Sequence, residues 1–132
     1  MRYYFDAPVS VAALADLREA VGWNRMEVDL HDPRLHNAFY LCAFDGEQLV
    51  GYAAVVSNGL TDAYIQDVMV HPAYQHQGIG TQLMKRVLAR LEELGVYMVS
   101  VVYGEAALAP FYERFGFCTM LCGQRELRPG RD

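Results

Sequence analysis

The chain predicts an α/β fold of the α+β kind: a mixed, mostly antiparallel twisted sheet flanked by helices, with one parallel pair of strands. Three observations predict it. Three strand-like runs follow one another in the middle of the chain, separated by Asp45-Gly46 and Asn58-Gly59. A helical stripe comes next, made of Ile79, Leu83, Met84, Val87, Leu88 and Leu91. The apolar, β-branched run Tyr97–Val102 then completes a strand–helix–strand crossover, whose two strands lie parallel.

In chain order, Arg2–Phe5 is a short aromatic strand that ends before Pro8. Ser10 caps a helix carrying Leu14, Leu17 and Val21 at helical spacing, and Gly22 stops it. Residues Trp23–Asn37 are irregular; they have room for one short helix and are the best candidate for a mobile loop. Ala38–Phe44, Gln48–Ser57 and Thr61–Val70 form a three-stranded meander. Asp45-Gly46 suits a two-residue type I′ turn, with positive φ at both positions. The helix from Ile79 has a wide apolar face and ends at Gly95. Tyr97–Val102 reads as a buried strand, and Glu105–Phe115 as a second helix with Pro110 near its start. Phe117–Leu127 is expected to add one or two closing strands.

The 132 residues suit a single domain, 1–132. A hydrophobic fraction of 53% against 20% charged residues excludes a disordered chain. The net charge of −5 repels phosphate backbones, so no nucleic acid partner is expected, whereas a small cation would be attracted. Cys42, Cys118 and Cys122 are odd in number and lack Cys-x-x-Cys spacing or a histidine cluster. No metal site is expected, and the three read as buried small apolar residues in a reducing compartment. No run is apolar enough to span a membrane and Met1–Asp6 lacks a signal-peptide core, so the expected location is the cytoplasm.

The chemistry concentrates in Val68-Met69-Val70-His71-Pro72-Ala73-Tyr74-Gln75-His76-Gln77-Gly78-Ile79-Gly80. A strand ends, a loop turns, and two glycines open a helix. The first helical turn has unpartnered N–H groups and the positive end of the helix dipole, and glycines let an anion approach the backbone. This is a phosphate cradle. A kinase-type or GTPase-type P-loop requires a lysine that Gly80-Thr81-Gln82 lacks. A dinucleotide fingerprint requires a glycine where Leu83 stands and an acidic residue near Val101-Val102-Tyr103.

The segment Gln75-His76-Gln77-Gly78-Ile79-Gly80, with its run-up from Val70, resembles the signature of the GCN5-related N-acetyltransferase (GNAT) superfamily. Phe111-Tyr112-Glu113-Arg114-Phe115-Gly116-Phe117 is similar to the family's second segment, and the order of elements agrees along nearly the whole chain. The resemblance implies a sheet whose parallel strands splay apart. It implies acetyl-CoA as acetyl donor, with the backbone from Gln75 to Gly80, together with Thr81, at the pyrophosphate. The pantetheine arm would lie along Val68, Met69 and Val70, and an N–H near Met69 or Val70 would stabilise the thioester oxyanion. An amine, small or peptidic, would attack the thioester directly, and no metal is involved.

The resemblance places Tyr112 where the family has the general acid for the leaving thiolate. A phenol is a weaker acid than a thiol, so Tyr112 reads as a hydrogen-bond donor that passes its proton late. The base is sought on the strand before the cradle, where Asp62 and Asp67 are the carboxylates. Tyr64 and Gln66 stand where related branches carry glutamate, on the face opposite Asp67, and line the substrate side. Water chains to Asp67, or a histidine, are the other routes for the proton. Trp23 is the candidate wall of the acceptor pocket, by cation–π contact. One departure is the absence of asparagine in Tyr103-Gly104-Glu105-Ala106-Ala107, where the family commonly has a cofactor contact. The alternative reading is therefore a non-catalytic acyl-CoA-binding module. Homodimers are common in the family, and Gln124–Asp132 would then exchange strands or fray.

Overall fold

A computed structural model describes residues 1–132. Five strands form one sheet in the order β1 (Arg2–Phe5), β2 (Phe39–Asp45), β3 (Gln48–Ser57), β4 (Asp62–Val70), β5 (Met98–Val101). The first four run antiparallel and β5 lies parallel to β4, as the meander and the crossover require. Helices α1 (Val11–Ala20), α2 (Glu27–His31), α3 (Ile79–Leu94) and α4 (Ala109–Glu113) complete the chain's regular structure, with single 3₁₀ turns at Pro33–Leu35, Pro72–Tyr74 and Ala106–Leu108.

Strand alternation divides the core in two. Leu41, Val50, Ala53, Val55 and Ile65 face α3, meeting Ile79, Leu83, Met84, Val87 and Leu91. Cys42, Tyr52, Ala54 and Met69 face the other way, onto Leu14 and Leu17 of α1. Full burial of each Val, Leu, Ile or Met among them contributes about 1.5–3 kcal/mol before entropy is counted. Helix α3 approaches the sheet so closely that a Cβ on Gly51 would lie 2.9 Å from Ile79 Cγ2 and 3.1 Å from Ala43 Cβ.

Several expectations are corrected. In the first hairpin Asp45 pairs with Gln48, so the loop residues are Gly46-Glu47 and only Gly46 has positive φ. That arrangement puts glycine first, as type II′ turns require. The edge strand β5 is half-exposed rather than buried, because no strand follows it in the sheet. The expected helix over 105–115 is a 3₁₀ turn followed by the short α4, with Pro110 in its first turn. The expected closing strands are absent: residues 117–127 join no ladder. Strand propensity favours an extended backbone but supplies no partner for it. Of the three cysteines only Cys42 is buried; Cys118 and Cys122 are exposed along that unpaired segment.

Residues 128–132 are tied to α2. Arg128 donates to both oxygens of Asp29 at 3.1 and 2.8 Å, and the Arg131 amide donates to Asp29 Oδ2 at 2.9 Å. The Arg131 carbonyl accepts from Val28 at 3.1 Å, on the first turn of α2. The Asp132 carboxylate accepts from the Met26 amide at 2.9 Å.

Candidate active site

The loop after β4 and the first turn of α3 form a concave run of backbone donors. Gly78 precedes α3 with φ +83° and offers no side-chain cap. Gln82 donates to the Gly78 carbonyl, but the N–H groups from His76 to Thr81 find no acceptor in the chain. His76, at φ 64°, and Gly78 both lie in the left-handed region, which turns successive N–H groups toward one concavity. A Cβ at Gly78 would meet nothing within 4 Å, so the space before these donors is open. The side chains of Gln75, His76 and Gln77 are exposed; Ile79 is buried beneath α3 as part of the core. Gly80 lies against Phe111 of α4, so the helix start is seated on the second segment.

The parallel pair opens beside this concavity. Pairing between β4 and β5 runs from Asp62/Met98 to Ile65/Val101 and stops there. Residues Gln66–Val70 thus have a neighbour on the β3 side alone. The His71 N–H donates to Val50 on β3 at 2.8 Å. Alternation along the strand then turns the backbone groups of Met69 to β3 and those of Val68 and Val70 into the gap. The Met69 side chain is buried against α1. Of the three β4 residues expected along the cofactor arm, Val68 and Val70 face the opening and Met69 does not.

A bulge in β4 decides where Asp67 goes. The β3–β4 register slips between Tyr52 and Ala54, which pair with Met69 and Gln66, and Asp67 takes φ 54°. Ala63 and Ile65 face α3, so Tyr64 and Gln66 face α1. Plain alternation would have put Asp67 opposite them. The extra residue swings it round instead, and its Oδ2 meets Arg18 of α1 at 3.3 Å. The expectation that Tyr64 and Gln66 lie on the face opposite Asp67 is thereby corrected. Asp62 stands at the far end of β4, at the start of the pairing with β5, away from the cradle.

Arg18 is a residue that the sequence reading missed. It is 7% exposed. Its guanidinium donates to the Asn24 carbonyl at 2.7 Å, to Asn24 Oδ1 at 3.0 Å and to Asp67, and it lies 5.4 Å from the centre of the Trp23 ring. The pairing thus links Trp23, expected at the acceptor pocket, to Asp67. Trp23 itself is half-exposed and lines a depression with Glu19, Asn24, Arg25, Glu27 and Asp132. Burial raises the Asp67 carboxyl above the usual carboxylate range, and the neighbouring Arg18 opposes that rise without cancelling it. Tyr64 is also raised, first by burial and then by Asp67. A helix arginine four positions before a glycine stop carries no local signal that it turns inward; only the sheet geometry reveals it.

Tyr112 sits on the other side of the opening, 7% exposed among aromatic rings. It stacks on Tyr103 at 4.7 Å with 9° between planes, and meets Phe111 and Phe117 edge-on at 5.0 and 6.2 Å. Its hydroxyl makes no hydrogen bond within the chain. Burial, then Tyr103, pushes its pKa above the ordinary phenol value. Arg114, one turn end beyond, reaches Thr81 Oγ1 at 3.5 Å and lies beside the Phe111 ring at 5.2 Å. It brings a cation to the first turn of α3, which the sequence motifs did not single out.

His71 accepts from the Ala73 amide through Nδ1 at 3.1 Å, closing the 3₁₀ turn. His36 pairs with Tyr52 at 2.8 Å and stacks on Tyr40 at 4.1 Å. No group of three or more His, Cys, Asp or Glu side chains has the arrangement of a metal site. No helix is long and apolar enough to cross a membrane.

The model of the acetyltransferase (GNAT) family matches residues 9–117. An uncharacterised ycf52-like N-acetyltransferase of Prochlorococcus marinus is 30% identical over 117 residues, which is 85% of this chain and 64% of that protein. The chain thus spans just under two thirds of the length of this relative. A GNAT-family acetyltransferase of Streptococcus pneumoniae superposes with a TM-score of 0.75 at 32% identity, covering 95% of this chain and 98% of that one. An aminoglycoside 6′-N-acetyltransferase solved with coenzyme A superposes with a TM-score of 0.65 at 17% identity, over 76% of this chain and 61% of that one, and shares the fold.

Proposed function

Because this chain belongs to the acetyltransferase (GNAT) family, we propose that it transfers the acetyl group of acetyl-CoA to a primary amine by direct attack. The observation that carries this reading is the run of free N–H donors from His76 to Thr81 beside an opened β4–β5 pair. One feature holds anionic phosphates and the other leaves backbone groups for an extended amide chain, which together suit coenzyme A. The solved fold neighbour with coenzyme A supports the same ligand class.

Acetyl-CoA supplies an acetyl group activated as a thioester. The donors from His76 to Thr81 hold the diphosphate, and Arg114 adds a cation beside Thr81. Val68 and Val70 offer their backbone to the pantetheine arm, and the Val70 N–H serves as donor to the oxygen that gathers charge. Tyr112 keeps its proton, because burial raises its pKa, and donates a hydrogen bond to the leaving sulfur. The amine enters from the side of Trp23 and Arg18. Asp67 takes its proton, and the raised pKa makes that carboxylate a stronger base than an exposed aspartate. Holding donor and acceptor together supplies a large share of the acceleration. The acceptor is a small or peptidic amine. Three free cysteines support a reducing compartment, the cytoplasm, as the place of work.

The test is thermal stability with acetyl-CoA, NAD and ATP in parallel, followed by thiol release with a panel of amines. A ligand at ~100 times its dissociation constant adds about 2.7 kcal/mol, several degrees for a chain of this size. A rise with acetyl-CoA alone is expected; a rise with NAD or ATP instead overturns the proposal. Stabilisation by acetyl-CoA without thiol release from any amine would mark a non-catalytic acyl-CoA-binding module.

A further inference from the structure

Helix α1 ends in a turn that brings the chain back onto its own last residues. Gly22, at φ +91°, reverses the direction, and the Trp23 amide donates to the Arg18 carbonyl at 2.9 Å. Residues 23–26 therefore fold around the Arg18 side chain. The Asn24 carbonyl accepts from Nε at 2.7 Å, while Asn24 Oδ1 and Met26 Sδ accept from Nη2 at 3.0 and 3.1 Å. Asp67 is left with Nη1 and a single contact at 3.3 Å. A guanidinium beside a carboxylate favours a two-pronged approach. Two other pairs in this chain take it: Arg128 meets both oxygens of Asp29 at 3.1 and 2.8 Å, and Arg34 meets both of Asp32 at 3.0 and 2.6 Å. Arg18 has the same chemistry, but its Nε and Nη2 are already engaged.

We infer that Asn24 is a positioning residue for Asp67: by accepting from Nε and Nη2 of Arg18, it holds the cation back from the carboxylate. Two acceptors on one residue fix both the place and the plane of the guanidinium. Gly130 backs the Asn24 carboxamide from outside, so closely that a Cβ there would lie 2.6 Å from Nδ2. The long, single contact matters because burial raises the Asp67 carboxyl and Arg18 opposes it. A closer, forked pair would lower the carboxyl and make it a poorer base. Tyr52 of β3 and Tyr64 of β4 also face Asp67; burial raises both, so they stay neutral where it titrates and Arg18 supplies the charge. The inference rests on the acetyltransfer reading for the role of Asp67 as base, whereas the hold on Arg18 stands apart from it.

Carbon-13 titration of the Asp67 carboxyl in the ligand-free protein tests it, with the pH–rate profile of thiol release alongside. Asn24→Ala leaves Nη2 short of an acceptor, so Arg18 closes on Asp67. The carboxyl is expected to titrate about one pH unit lower, the effect of drawing an opposite charge into full contact. Asn24→Asp keeps an acceptor of the same size and adds a negative charge, so the titration moves to higher pH. In an Arg18→Gln background, Asn24→Ala is expected to change nothing further, because its effect passes through Arg18. A loop that merely loosened and let in water would move the titration in both backgrounds. Circular dichroism and melting temperature show that each variant is folded; should Asn24→Ala fail to fold, Asn24→Asp carries the test. An unmoved titration in either Asn24 variant, a shift of the opposite sign, or an equal shift in the Gln background overturns the inference. Absent thiol release with the expected titrations would instead sink the acetyltransfer reading and leave the hold on Arg18 in place.

Discussion

The Tyr112 hydroxyl has no partner in the chain although its ring is packed on three others, so its position is set by stacking and its proton is free for a ligand. Tyr112→Phe keeps the rings and removes the donor. It is expected to lower kcat by about 10²–10⁴-fold while the acetyl-CoA melting shift stays as in the wild type; an unchanged kcat would remove Tyr112 from the chemistry. As the proposed base, Asp67 would act only when ionised, so activity is expected to rise with pH through its carboxyl pKa. That limb lies above the ordinary carboxylate range, because burial outweighs Arg18. Asp67→Asn is expected to abolish the limb. Arg18→Gln removes the opposing cation, so the carboxyl rises further and the limb moves to higher pH. The pH–rate profiles of the three proteins check the sign, and a limb unmoved in both variants would place the base elsewhere. The place of Tyr112 beside the opening was legible in the sequence because its segment carries a motif. The swing of Asp67 toward Tyr64 was not, because one extra residue in a strand leaves no mark on its composition.

The element that most shapes the site is α3, whose start combines unpartnered N–H groups, a left-handed glycine and a seat on the sheet. Its existence was readable from the periodic apolar stripe and its two flanking glycines. Gly78→Glu is expected to abolish the acetyl-CoA melting shift. The substitution forces a side chain into φ +83° at a cost of roughly 1–2 kcal/mol, and sets a carboxylate before the donors proposed to hold the diphosphate. The far-UV circular dichroism should stay native, since a Cβ there meets no neighbour; retained affinity would show that phosphates bind elsewhere. Strands β2 to β4 were equally legible, because alternation and turn residues mark them. The segment from Phe117 to Leu127 was misread for the opposite reason: its composition suits a strand, but a strand exists only where a neighbour completes its hydrogen bonds.

Across the whole molecule, Asp29 joins the last residues of the chain to α2. Its carboxyl is held below the usual range, first by the Arg128 side chain and then by the Arg131 amide. A depressed carboxyl stabilises the folded form above its unfolded pKa and loses that contribution as pH falls through the folded value. The tie should therefore hold at neutral pH and loosen in acid below the ordinary carboxylate range. Asp29→Ala is expected to speed hydrogen exchange at Val28 and Asp29, whose amides face the Arg131 carbonyl, with β3 and α3 unaffected; unchanged protection would show that the tail packs without Asp29. By itself the sequence determined the order of β1 to β5 with α1 and α3 between them, the antiparallel meander, the parallel crossover and the glycine-flanked start of α3. Each of these follows from side-chain period, turn chemistry or two glycines within a few residues of one another. Only the tertiary structure decided that Arg18 meets Asp67, that Arg114 reaches the cradle and that β5 stays an open edge. Those depend on contacts between residues far apart in the chain, where register, bulges and the presence or absence of a neighbouring strand determine which groups meet.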